Sequence, residues 1–64
     1  MAIVTVTIIE GRDRATKEAL MARLTDAVID TLDAKPGQVR VVIQEVRDGD
    51  YAVGGTPVFL RVHE

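Results

Sequence analysis

Arg12 and Arg40 are the residues through which this chain could do chemistry. Arg12 comes directly after Glu10-Gly11 has broken the run Ile3-Val4-Thr5-Val6-Thr7-Ile8-Ile9, which places a cation at the far end of an opening strand. Arg40 sits among Val39, Val41, Val42 and Ile43, and a charge beside β-branched residues in a buried strand needs a partner or a ligand. Both guanidinium groups stay charged and present a planar fork of N–H donors suited to carboxylates. Blander readings compete with this one. Arg12 could close its strand and pair with Glu10 or Asp13, and Arg40 could form an interface salt bridge.

Composition removes most other chemistry. The 64 residues include no cysteine and no serine, and His63 is the one histidine, next to the last residue and read as solvated. Disulfides, thiolate metal sites, a thiol nucleophile, a serine triad and a histidine-rich zinc site are therefore excluded within the chain, and no cofactor is expected. Eight basic and ten acidic residues give a net charge of -2, and Tyr51 and Phe59 are the only aromatics, so nucleic acid is an unsuitable partner. No apolar run approaches a bilayer span, and the first strand lacks a basic flank and a cleavage signature. The expectation is a soluble cytoplasmic protein with no membrane partner.

The elements that must position the arginines follow from periodicity. After the first strand the apolar period changes from two to 3.6, and Leu20, Met21, Leu24, Ala27, Val28, Thr31 and Leu32 fall on one face of a helix with Asp13 as N-cap. Ala34-Lys35-Pro36-Gly37 should end it. Val39 to Val46 reads as a second strand, so that strand, helix and strand form a parallel, right-handed βαβ unit. Asp48-Gly49 is a hairpin-type turn signal, Gly54-Gly55 precedes Thr56-Pro57, and Val58 to Val62 is a short strand or extended arm. The fold class is thus α/β, one βαβ unit with a C-terminal hairpin or arm, in a single domain over residues 1–64. Arg14, Lys17, Arg23, Lys35, Arg47 and Arg61 read as surface, and Gln44 or Glu45 could orient Arg40.

A domain of this length is near the lower limit for a self-sufficient core. One helix covers one face of the sheet, and the other would expose many β-branched side chains. Another subunit should cover them. The tail is a candidate for reaching across to that neighbour.

The chain resembles the small subunits of the 4-oxalocrotonate tautomerase family. The resemblance is carried by Ile8-Ile9-Glu10-Gly11-Arg12, Lys17-Glu18, Leu32-Asp33-Ala34, Val39-Arg40-Val41-Val42-Ile43-Gln44-Glu45 and Tyr51-Ala52-Val53-Gly54-Gly55, in that order and spacing. It implies βαβ protomers assembled as a hexamer, a trimer of dimers. It also implies enol-keto tautomerisation of small unsaturated 2-keto or 2-hydroxy carboxylic acids, with an amino-terminal proline as the base. On that pattern Arg12 and Arg40 bind carboxylates and polarise the carbonyl, and Tyr51 closes an apolar pocket; ordinary turn packing is the alternative for Tyr51.

Ala2 stands where the proline should be. Removal of Met1, which alanine at the second position permits, would leave a primary amine with an ordinary pKa of roughly 7.7 to 8.0, able to act as a base or form an imine. With Met1 kept, the Ala2 nitrogen is an amide, and the Met1 amine lies in or near the pocket. The expectation is weak or absent activity alone. The alternatives are a non-catalytic subunit of a hetero-oligomeric tautomerase, a small-carboxylate-binding oligomer without turnover, or a different reaction such as hydration or decarboxylation in the same pocket.

Overall fold

The computed structural model describes residues 1–59. Strand β1, Ala2–Ile9, and strand β2, Val39–Val46, run parallel in continuous register from Ala2 opposite Val39 to Ile9 opposite Val46. Between them helix α1 spans Arg14–Leu32. Its N-cap is Asp13, whose carboxylate accepts the Thr16 N–H at 2.8 Å, as the sequence leads one to expect.

The helix ends earlier than Pro36 and Gly37 suggest. Asp33 takes the left-handed conformation at φ 55 and turns the chain, a geometry that aspartate tolerates through its short polar side chain. Gly37, expected to permit the reversal, is not among the glycines with positive φ; it lies in the short 3₁₀ turn Pro36–Gln38 that leads into β2.

Alternation along the strands decides which face meets the helix. Val4, Val6 and Ile8 of β1, with Val39, Val41 and Ile43 of β2, lie beneath α1, while Ile3, Thr5, Thr7, Arg40, Val42 and Gln44 face outward. The helix packs chiefly over β2 and turns Lys17, Leu20, Met21, Leu24, Thr25, Val28 and Ile29 inward. Ala27, Thr31 and Leu32, expected on that face, are exposed, and Leu32 keeps 63% of its surface. The inward stripe is rotated toward Thr25 and Ile29, as the helix sits chiefly over one strand, β2.

Only Val39, 9% exposed, counts as buried among the described residues. The molecule measures 41 × 26 × 14 Å with a radius of gyration of 14.7 Å, whereas a compact chain of this length has about 11 Å. It is a slab one helix and one sheet thick.

Beyond β2 the chain makes two turns. Asp50 N–H donates to the Arg47 carbonyl at 2.8 Å around Gly49, whose φ of 90 is what the third position of a type II turn requires. Asp48-Gly49 thus reverses the chain without making β2 half of a hairpin. The hairpin forms later, strand β3 (Ala52–Val53) pairing antiparallel with strand β4 (Thr56–Pro57) around Gly54 and Gly55, which both have positive φ. Val58 then runs beside the turn, accepting from Gly49 N–H at 3.0 Å and donating to the Tyr51 carbonyl at 2.7 Å. The part of the expected terminal strand from Leu60 onward, with Arg61 and His63, lies outside the described residues.

Candidate active site

The parallel register sorts the candidate residues into two groups. Ala2 pairs with Val39 and Ile3 with Arg40, so Ala2 and Arg40 stand together where both strands begin. Arg12 follows the end of β1 and Tyr51 the end of β2, so these two stand where both strands finish. An eight-residue strand separates the ends by roughly 23 Å. Within one protomer, therefore, Arg40 is beside Ala2 and Arg12 is not.

Arg40 is on the outward face, not in a buried strand interior. Its guanidinium donates to the Gly37 carbonyl at 2.8 Å and lies 3.5 Å from the Val39 carbonyl, which aims it along the start of β2. These partners are neutral, so among the described residues nothing compensates the charge, and further N–H donors remain. Neither Gln44 nor Glu45 orients it. Gln44 lies 3.4 Å from the Thr7 hydroxyl, and Glu45, near the opposite end of β2, pairs with Lys17 at 3.2 Å.

Arg12 is exposed, and among the described residues no hydrogen bond or ion pair holds it. Both acids expected to neutralise it are engaged elsewhere. Asp13 caps the helix, and hydrogen bonds from the Thr16 side chain and backbone hold its carboxyl below the usual carboxylate range. Glu10 accepts the Asp48 N–H at 3.3 Å. Tyr51 is 46% exposed on the protomer, with its carbonyl tied to Val58.

Lys17 is the residue that sequence reasoning misplaced. Its side chain is 15% exposed and bridges the first turn of α1 to β2 through Glu45. The signal was its place three residues before Leu20 on the inward stripe. Together with Arg14, Met21 and Ile43 this pair lines an open cleft of ≈ 210 Å³ that contains none of the candidate residues. We regard it as an opening at the edge of the helix–sheet packing, since its acid already has a cationic partner. Among the described residues no group of three or more His, Asp or Glu side chains could hold a metal, and no helix is long and apolar enough to cross a membrane.

A thin βαβ protomer with one arginine at each end of its sheet is the class of protein defined so far. The tautomerase enzyme family model matches residues 3–61. A probable tautomerase of Halalkalibacterium halodurans is 46% identical over 55 residues, covering 86% of this chain and 90% of that one. A 2-hydroxymuconate tautomerase of Pseudomonas putida is 38% identical over 55 residues, covering 86% and 87%. Among solved structures, a heterohexamer 4-oxalocrotonate tautomerase from Chloroflexus aurantiacus superposes with a TM-score of 0.82 at 33% identity, covering 89% of this chain and 92% of that one. The chain belongs to the tautomerase family, in its 4-oxalocrotonate tautomerase group. The coarse function that goes with this membership is that of a tautomerase-family isomerase.

Proposed function

We propose that residues 1–64 form one tautomerase-like domain in which Arg12 and Arg40 hold the carboxylates of a small unsaturated 2-keto or 2-hydroxy acid. In this reading Ala2 replaces the proline base, and proton transfer by the chain alone is weak or absent. One observation carries the reading. Among the described residues the two guanidinium groups have no acidic partner, even though Glu10 and Asp13 flank Arg12 closely in sequence. A guanidinium without an acidic partner keeps its charge and its planar fork of N–H donors available to a carboxylate brought to it.

Because the two ends lie roughly 23 Å apart, Ala2 and Arg40 of one protomer and Arg12 and Tyr51 of another must be brought together across a subunit boundary. A homo-oligomer, proposed as a hexamer built as a trimer of dimers, supplies that boundary and covers the open face. The second reading is a non-catalytic subunit that lends arginines to a proline-bearing partner. It is favoured by Ala2 and by the likeness to the Chloroflexus aurantiacus heterohexamer.

The test joins binding to turnover. Calorimetry with cis,cis-muconate, an unreactive dicarboxylate, should show binding that disappears in Arg40→Ala. Ala2→Pro, with methionine removal verified by intact mass, should raise ketonisation of 2-hydroxymuconate by about 10²- to 10⁴-fold, the usual contribution of a positioned general base. No binding would refute the carboxylate site. Binding without any gain from Ala2→Pro would refute tautomerisation in a homo-oligomer, and co-purification of a proline-bearing subunit would then identify the second reading.

A further inference from the structure

We infer that Glu10 is a positioning residue, whose carboxylate fixes the loop carrying Arg12 to the turn that presents Tyr51. The inference rests on the carboxylate-site reading for its functional consequence, and on hydrogen bonding alone for its structural one. In a parallel ladder one residue donates its N–H to one position of the neighbouring strand and accepts, through its own carbonyl, from the N–H two residues further on. Glu10 N–H donates to the Val46 carbonyl at 2.8 Å, which continues the β1–β2 pairing one residue past Ile9. The next bond should come from Asp48 N–H to the Glu10 carbonyl. Instead Asp48 N–H meets Glu10 Oε2 at 3.3 Å.

The side chain thus takes the place of the main chain in the ladder. This substitution lets the backbone leave the sheet at Gly11, where φ is 127, and carry Arg12 outward while the sheet edge stays closed. On the other side of the bond, Asp48 opens the Arg47–Asp50 turn, and Tyr51 follows directly. Gly49 within that turn packs against the Phe59 ring and donates to Val58, so the turn is held on its far side as well. Arg12 and Tyr51 therefore sit on two segments that this carboxylate joins. For the bond to Asp48 N–H the reach of the side chain is what matters, since a neutral amide oxygen accepts as a carboxylate oxygen does.

Length and charge are separable. Glu10→Asp keeps the charge and shortens the reach, whereas Glu10→Gln keeps the reach and an acceptor oxygen. Amide exchange at Asp48 and acrylamide quenching of fluorescence give readouts that need no ligand, since Tyr51 is the one tyrosine and there is no tryptophan. Glu10→Asp should speed Asp48 exchange by about tenfold, the loss of one hydrogen bond, and make Tyr51 more quenchable, in an assembly of unchanged sedimentation. Glu10→Gln should stay within about threefold of the parent chain. The affinity for cis,cis-muconate should follow the same order, weaker in Glu10→Asp and preserved in Glu10→Gln. Parent-like exchange and quenching in Glu10→Asp would overturn the inference, and so would the opposite order of the two variants. If the parent chain itself binds no muconate, the carboxylate reading falls while exchange and quenching still decide the role of Glu10.

Discussion

Replacing Val42 by aspartate should take the assembly apart. Val42 lies in the middle of the outward face, directly across from Thr5, and keeps 43% of its surface in the protomer. A compact monomer of this mass exposes about 4,000 Å², whereas the protomer exposes 4965 Å² for 7.0 kDa. That difference is of the size one partner loses in an ordinary protein interface, about 800 Å². If the face were wet in the working protein, Val42→Asp would cost only about 1 kcal/mol, the difference in strand propensity. Under another subunit it strands an unpaired carboxylate in a desolvated contact, at a cost of roughly 3 to 5 kcal/mol. A penalty of that size weakens association by about two to four orders of magnitude. Sedimentation velocity over a dilution series should show the parent chain as one oligomer at micromolar concentration and Val42→Asp as a smaller species. Because the protomer has a single buried residue among those described, the dissociated variant should also melt at a temperature that rises with protein concentration. A Val42→Asp protein with parent-like sedimentation and melting would refute the argument that this face is covered.

Two further outcomes follow from local geometry. Asp13 has its carboxyl pKa lowered from 3.8 by the hydrogen bonds from Thr16, so its contribution to stability is fully present above that value and is lost as pH falls through the lower folded value; Asp13→Asn, which keeps a capping oxygen but cannot titrate, should flatten this acid limb in pH-dependent melting. Gly49→Ala should destabilise the chain by about 1 to 3 kcal/mol in urea unfolding, since a Cβ there would strike the Phe59 ring and the backbone holds φ at 90.

Alternation made the two long strands readable. Val39 to Val46 forms β2 as expected, and β1 differs from the expected run only by including Ala2. The N-cap at Asp13 was equally legible, because a cap is a local bargain between one carboxylate and the N–H three residues on. What escaped was whatever depends on placement in three dimensions. Helical periodicity alone does not say that α1 sits over β2, so Leu32 was expected inside and Lys17 outside. The helix stop was assigned to Pro36 and Gly37, the stronger breakers, while Asp33 accomplished it. For the candidate site, the sequence singled out Arg12, Arg40 and Tyr51 but contained nothing about which end of the sheet each would occupy. That follows from the parallel register, a long-range property. The competing salt bridges from Glu10 and Asp13 to Arg12 were reasonable on proximity, and they lost to backbone N–H groups that needed acceptors.

The in-and-out alternation from Ala2 to Ile8 and from Val39 to Gln44 divides labour between neighbouring positions. Val4, Val6, Val41 and Ile43 keep the helix seated, while Ile3, Thr5 and Val42 lie on the opposite face, the one proposed to meet another subunit. A lineage carrying this chain can therefore rewrite its choice of companion at odd or even positions alone, exchanging a sister copy for a foreign one, while the residues that shape the protomer remain untouched.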